Sequence, residues 1–593
     1  MAQYIFVRTR EPINSATTLQ ELERVCHLLT PTAIQGKSQN TMSAWPEVSD
    51  SFYAIQNSDA VAQPEQGALV IGWMQQADPH KSDVCDSEAD GSYAVIKNIE
   101  DSVSFFSDQF GSRTLWYYFD QDRLIVSTSQ RAVVALKGAF ELNEEVLAWY
   151  LSSGCQGPFL SWDKDIHYVL PDLEYSLNVD DWDISFKDKP GMDLPPSGTV
   201  KMQDYLDLYQ RQITESVKTV INAYPQGQLL MPLSGGLDSR VLLALTKNAG
   251  LEHKVTLVNW GAPQPKGIFD DKVAAHRVAK FYGKELLDIY LPAEVDSHDQ
   301  ILDRYVAESE GLLDEVNAYT DGFKAWEEFF LQGYRAVIRG DVDVTEGLDL
   351  NDIRTRLHVG VMLFTDYTNA GEFPLEKFIK LQNNYDIKPL QNESAIRHRD
   401  RLFTSLCLPI RVAPYPAQIS AYIETKAPML NWSLFKLYMG LSDKDKGNKL
   451  HIQKTWEKND KSGVSRYAVG SLNGLDEIFE NQLGNQYLLD SLAASNKKDL
   501  FSAELISSLQ AKLAEKKYPS STAQPPKALA KFKPALTAAR EFITDNLPLL
   551  IKAYLQTKRA NTISATTIAY RVVLAEKVIA MYESDAQLIK GSD

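Results

Sequence analysis

Ser234-Gly235-Gly236-Leu237-Asp238-Ser239 follows an apolar run, Leu229-Leu230-Met231-Pro232-Leu233, and precedes Arg240-Val241-Leu242-Leu243-Ala244-Leu245. That order predicts a buried strand, a glycine turn and the start of a helix. Two glycines let the backbone turn sharply and bring its N–H groups close to a ligand. Serine hydroxyls and the N-terminus of the following helix add donors and partial positive charge, which suits a pyrophosphate. An aspartate is wrong for a bare anion site but right for holding Mg²⁺ against phosphates. No Gly-Lys-Ser/Thr follows, so the stretch is not the Walker phosphate loop.

Working outward, Lys254–Trp260 reads as a second strand, and Asp270 is placed to cap a helix that ends at Gly283. Glu285–Leu291 reads as a third strand and Tyr334–Ile338 as a fourth. Strands alternating with helices imply a doubly wound parallel sheet covered on both faces. Ligands then bind beyond the carboxyl ends of the strands. That brings Ser234–Ser239 and the chain after Val258 into one crevice.

The complete Ser-Gly-Gly-x-Asp-Ser hexad resembles the pyrophosphate loop of the ATP pyrophosphatases, a group that includes the asparagine synthetase-like family. The resemblance implies ATP and Mg²⁺ as cofactors and cleavage of ATP between the α and β phosphates. Phe269-Asp270-Asp271, with Ala275, Val278, Ala279 and Gly283, is similar to a helix of that family, which leaves Asp270 as either a helix cap or a site residue. Arg339-Gly340-Asp341-Val342-Asp343 falls where the family has an acidic segment supplying a second metal anchor. Gly340 is kept, and either Asp343 or Asp341 serves beside Asp238. Lys426-Ala427-Pro428-Met429-Leu430-Asn431 is similar to a further family segment. The family also requires a cation at the departing pyrophosphate, where negative charge develops; Lys449, Lys454 and Arg466 compete for that role, with Lys449 and Arg466 taken as the catalytic pair. The implied nucleotide-binding set is Leu233, Ser234, Gly235, Gly236, Leu237, Asp238, Ser239, Val258 and Gly340.

Toward the N-terminus, Ser107–Phe119, the Asp120-Gln121-Asp122 turn and Leu124–Ser129 read as a hairpin. Tyr93–Ile96 and Val103–Phe106 read as another strand pair, and Met1–Arg8 reads as the start of a further strand. Asp108, Gly111, Leu115 and Trp116, followed by the helix Gln130–Leu136, resemble the class II glutamine amidotransferase domain, an Ntn-type αββα sandwich. The likeness is good over residues 90–180 and poor before them. In that family the nucleophile is a cysteine at the mature N-terminus. Here residue 2 is Ala2, and the nearest cysteine is Cys26. The resemblance therefore implies a glutaminase fold without glutaminase chemistry unless processing exposes Cys26. β-Lactam synthetases and lasso-peptide cyclases are similar in this respect.

Composition narrows the reading. Of 593 residues, 44% are hydrophobic and 23% charged, as in ordinary soluble proteins. A net charge of −17 argues against a nucleic-acid partner. Cys26, Cys85, Cys155 and Cys407 lack metal-ligand spacing and read as free thiols in a reducing cytoplasm. No apolar run reaches membrane-spanning length, and no signal-peptide pattern opens the chain. Residues 349–410 exceed the family minimum and contain loop-like Asn369–Pro374 and Gln391–Glu393. Tyr518–Pro526 reads as a linker flanked by lysines. The last helix carries Ile568, Val572, Ala575, Ile579 and Tyr582 on one face and is expected to pack on the synthetase-like region.

The expected organisation is an α/β chain with an amidotransferase-like domain at 1–196, an ATP pyrophosphatase domain at 197–480 and a helical extension at 481–593. The expected activity is AMP-forming amide-bond synthesis joining a small-molecule or peptide carboxylate to an amine donor. No nucleic-acid or membrane partner is expected, and a homodimer is an option. A lactam- or macrolactam-forming cyclase and a non-catalytic nucleotide-binding scaffold are the alternatives. An RNA-sulfurating enzyme fits poorly with the acidic charge and unpaired cysteines.

Overall fold

The computed structural model describes residues 3–46, 48, 50–58, 67–75, 88–99, 102–261, 270–290, 297–316, 322–341, 352–382, 387–446, 449–464, 478–518 and 561–590. They form a mixed α/β structure with two antiparallel sheets and one parallel sheet. The first region supplies β1 (Tyr4–Thr9), β2 (Thr41–Ala44), β3 (Ser51–Ile55), β4 (Ala68–Met74), β5 (Gly91–Ile99), β6 (Ser102–Ser107), β7 (Trp116–Phe119), β8 (Arg123–Ser127), β9 (His167–Tyr168), β10 (Leu173–Asn178) and β11 (Asp183–Asp188). One sheet runs β2-β3-β1-β8-β7-β9, the other β11-β10-β6-β5-β4.

Alternation along β1 explains why the two sheets stack. Tyr4 and Phe6 pack with Ile96, Phe105 and Leu177 of the facing sheet. Ile5 and Val7 point the other way, among residues of the helices Ser15–Leu29 and Gln130–Lys137. The expected hairpin is β7–β8, and its turn is held by Asp120, whose Oδ1 accepts from the amides of Asp122 and Arg123, each at 2.8 Å.

Asp108 has an architectural role. It is fully buried and accepts from the amides of Phe110 (2.9 Å), Ser112 (3.2 Å) and Tyr93 (3.1 Å) and from the Ser112 hydroxyl (2.7 Å). Gly111 completes this turn at φ +59°. A β-carbon there would lie 2.5 Å from Pro171 and 3.0 Å from Pro409, so glycine is required for space as well as for backbone angle.

The second region supplies β12 (Leu229–Pro232), β13 (Val255–Gly261), β14 (Leu286–Tyr290), β15 (Ala336–Ile338) and β16 (Glu424–Lys426). All pairings are parallel, in the order β14-β13-β12-β15-β16. Both faces are covered. Leu229, Met231, Ala336 and Ile338 join one core with the helices Met202–Asn222 and Leu237–Asn248, while Leu230 and Val337 join another with His298–Ser309. The chain moves outward from β12 to β14, then returns to the other side of β12 for β15. The crevice between β12 and β15 is therefore the topological switch point, where open α/β sheets bind ligands.

The helix after the loop ends at Asn248, and Gly250 follows at φ +71°. Asp270 caps the helix Asp271–Phe281 by accepting from the Lys272 amide at 3.0 Å, and is buried in doing so. The long segment at 349–410 is more helical than its loop-like stretches suggest: Asp352–Val359, Glu376–Leu381 and Ala395–Leu402 are α-helices, and Phe403–Val412 is a π-helix containing Pro409.

The helix Ala565–Asp585 packs on both regions, not on the second one alone. Arg571 pairs with Asp314 at 2.7 Å and donates to the carbonyls of Leu151 and Ser152, each at 2.8 Å. Asp585 pairs with Arg131 at 2.8 Å. The physical reason is that nearly every side of this helix is buried, so no single partner surface could cover it. Apart from Tyr518, the expected linker lies outside the described residues. Among the described residues no helix is long and apolar enough to cross a membrane.

Candidate functional site

The loop at the switch point follows from its sequence. β12 ends at Pro232, and Leu233 extends it by donating to the Val258 carbonyl at 2.9 Å. Gly236 is the N-cap of the helix Leu237–Asn248 and offers no side chain to cap it. The helices beginning at Gln130, Glu144, Asp271, His298, Trp432 and Ala565 all have a side-chain cap. The first-turn amides at 237 thus face the crevice without that internal acceptor.

The two serines brace the turn. Ser239 Oγ accepts from the Ser234 amide at 3.2 Å and lies 3.1 Å from Ser234 Oγ, which accepts from the Gly236 amide at 3.1 Å. Asn259, absent from the sequence-derived set, holds the loop's entrance by donating from Nδ2 to the Leu233 carbonyl at 2.8 Å. Its only sequence signal is an amide side chain at the carboxyl end of an apolar strand.

Gly340 follows β15 and abuts the loop. A β-carbon there would stand 3.0 Å from Asp238 Cβ and 3.4 Å from the Ser239 nitrogen, which accounts for glycine at this position. Asp341 comes next, and its carboxylate is gripped by Arg339 through Nε (2.9 Å) and Nη2 (3.1 Å). Asp343 and Arg466, the other expected metal ligand and cation, lie outside the described residues.

Asp238 and Lys449 meet. Lys449 Nζ lies 2.6 Å from Asp238 Oδ2, although 211 residues separate them. Lys449 caps the helix Leu450–Asn459 in the left-handed region at φ +48°, a conformation that costs a non-glycine residue energy and here turns its side chain toward the loop. Lys454 is exposed farther along the same helix. Asp238 Oδ1 is buried and has no hydrogen-bond partner among the described residues. A half-satisfied carboxylate at an uncapped helix start fits a divalent ion delivered with phosphate oxygens, because Mg²⁺ commonly takes only one or two carboxylates from protein in such sites. Among the described residues no group of three or more His, Cys, Asp or Glu could hold a metal by itself.

A second framework braces this arrangement from behind. Arg240 is fully buried. It pairs with Asp460 through Nε (3.0 Å) and Nη2 (2.7 Å), donates to the Val464 carbonyl at 2.7 Å, and lies 4.9 Å from the Trp456 ring centre. Burial raises the Asp460 carboxyl, but hydrogen bonds from the Ser462 amide, Arg240 and Trp456 outweigh it and hold the group below its usual range. The helix carrying Lys449 is thereby fastened to the helix carrying Asp238. Arg240 was also missed in the sequence; its signal is a charged residue on an otherwise buried helix face.

His451 sits beneath Lys449, 1% exposed, with ring centres of Tyr209 and Tyr438 each 5.1 Å away and Tyr205 at 5.7 Å. Burial, with a smaller contribution from Lys449, pushes its pKa down to about 3, so the ring is neutral. Neither ring nitrogen has a hydrogen-bond partner among the described residues.

The cysteines offer no exposed nucleophile among the described residues. Cys26 lies inside the helix Ser15–Leu29 with its thiol pushed up to about 12 by burial, and Cys155 and Cys407 are buried too. No family model matches the sequence, and no curated protein matches it.

Proposed function

We propose that this chain is an AMP-forming carbon–nitrogen ligase that resembles the asparagine synthetase-like family. The observation that carries the reading is the Ser234–Ser239 loop at the sheet's switch point, with the orphaned Asp238 Oδ1 and Lys449 beside it. In this reading the parallel sheet is an ATP pyrophosphatase fold. The two stacked sheets, with helices against one of them, support an amidotransferase-type sandwich.

The loop backbone at Gly235 and Gly236, the hydroxyls of Ser234 and Ser239, and the uncapped helix start bind the β and γ phosphates. Asp238, with Asp343 or Asp341, would hold Mg²⁺, which would supply charge neutralisation between phosphate oxygens. Lys449 donates to the departing pyrophosphate and offsets its charge. A substrate carboxylate oxygen attacks the α-phosphorus, the bond to the bridging oxygen breaks, and an acyl-adenylate and pyrophosphate result. An amine then attacks the acyl carbon, loses a proton and displaces AMP. Cys26 is buried inside its helix, and in this reading the amine is ammonia, a separate small molecule or a group of the same substrate.

The test is carboxylate-dependent release of AMP and pyrophosphate from ATP, screened over amino acids, small carboxylic acids and peptides. Asp238→Asn is expected to lower the rate at least about 100-fold. Product formation by Asp238→Asn at the parent rate would refute the assignment. ATP binding without turnover across the panel would favour the scaffold reading instead.

A further inference from the structure

We propose that the Lys449–Asp238 ion pair is an exchangeable lock: Lys449 serves as the resident counter-ion of Asp238 until a triphosphate draws it away, so divalent metal and nucleotide enter the site cooperatively. This rests on the nucleotide-binding reading above and adds to it an order of events and a role for Lys449 before chemistry.

Three observations carry it. First, Lys449 Nζ lies 2.6 Å from Asp238 Oδ2, and both side chains are largely shielded, with relative exposures of 17% and 25%. An ammonium there neutralises the carboxylate and repels a second cation arriving at the same group. Second, Asp238 cannot retreat. Its helix is tied through the buried pair of the neighbouring Arg240 with Asp460, which fixes the backbone that carries the carboxylate. Exchange must therefore come from the lysine side chain, which has four rotatable carbon–carbon bonds beyond its Cα. Third, Asp238 Oδ1 is buried and has no hydrogen-bond partner among the described residues, so one carboxylate oxygen is left for a cation once the ammonium withdraws.

Phosphate oxygens reverse the balance. They give Lys449 an alternative acceptor at the loop, and its departure leaves Asp238 with its full negative charge for the metal. Each ligand thus strengthens the other, as linkage requires. Without nucleotide the site resists divalent ions, which keeps the loop from being filled by metal alone.

The experiment uses the full chain with Mn²⁺ as the probe, its binding followed by electron paramagnetic resonance without nucleotide. Lys449→Met is expected to bind Mn²⁺ roughly tenfold more tightly than the parent, within the usual range of coupling between sites. Lys449→Arg, which keeps the charge, should stay near the parent. Adding Asp238→Asn to Lys449→Met should abolish the gain. Binding of Mn²⁺–α,β-methylene-ATP to the parent is measured alongside. Mn²⁺ affinity in Lys449→Met no higher than in the parent, with the nucleotide analogue still bound, overturns the lock and leaves the ligase reading standing. Failure of the parent to bind the analogue overturns both.

Discussion

Replacing His451 with leucine removes an imidazole buried in a tyrosine cage, and the consequence is a change in pH dependence. Its pKa falls from the ordinary 6.5 to about 3 because burial disfavours the charged ring and Lys449 repels it. Between those values the unfolded chain binds a proton at this position and the folded chain does not. Stability therefore rises with pH through this window and is lost as pH falls from 6.5 toward 3. At pH 5 the unfolded ring is 1.5 units below its pKa, and at about 1.4 kcal/mol per unit this costs the parent about 2 kcal/mol relative to neutral pH. Leucine has no such dependence. Its loss of ring contacts is a fixed offset, which cancels when each protein is compared with itself at two pH values. Urea unfolding followed by tryptophan fluorescence at pH 7.5 and pH 5.0, on parent and His451→Leu, gives the double difference. Equal losses in both proteins on acidification would refute the neutral buried imidazole.

Arg240→Met strands the Asp460 carboxylate in the interior and is expected to destabilise by about 3 kcal/mol or more, read as a lowered thermal midpoint. Adding Asp460→Leu should recover much of that loss, because two apolar groups then replace a buried pair. Gly340→Ala forces a methyl group to 3.0 Å from Asp238 Cβ, with an expected cost of about 1–2 kcal/mol at the loop. Its larger effect should be a roughly tenfold weaker affinity for α,β-methylene-ATP in calorimetry; an unchanged affinity would show that the loop has room to move.

Local signals made the second region legible. A strand, a double glycine and a helix start are contiguous from 229 to 245, and the caps at Asp270 and Gly250 sit beside the elements they end. β16 gave no such signal, because Glu424-Thr425-Lys426 shows no apolar alternation. It is buried through the ion pairs of Glu424 with Arg113 (3.3 Å) and Lys426 (3.5 Å), and Arg113 lies more than 300 positions away. The Arg240–Asp460 pair was invisible for the same reason. The sequence already preferred Lys449 to Lys454, but nothing local in it showed that a left-handed backbone would bring Lys449 against Asp238. In the first region the hairpin and the helix at 130 followed from turn chemistry. The opening ninety residues offered weaker family likeness, yet β1 proved to be the strand on which both sheet pairings β1–β3 and β1–β8 depend.

The helix Ala565–Asp585 is made late by the ribosome, yet its arginine and aspartate close contacts on segments made more than 400 residues earlier. Nascent chains must therefore leave the grooves beside Ser152 and Arg131 open until this helix has been made. A stop codon upstream of 565 would expose greasy surface on two regions at once, making this stretch a keystone for quality control in the cell.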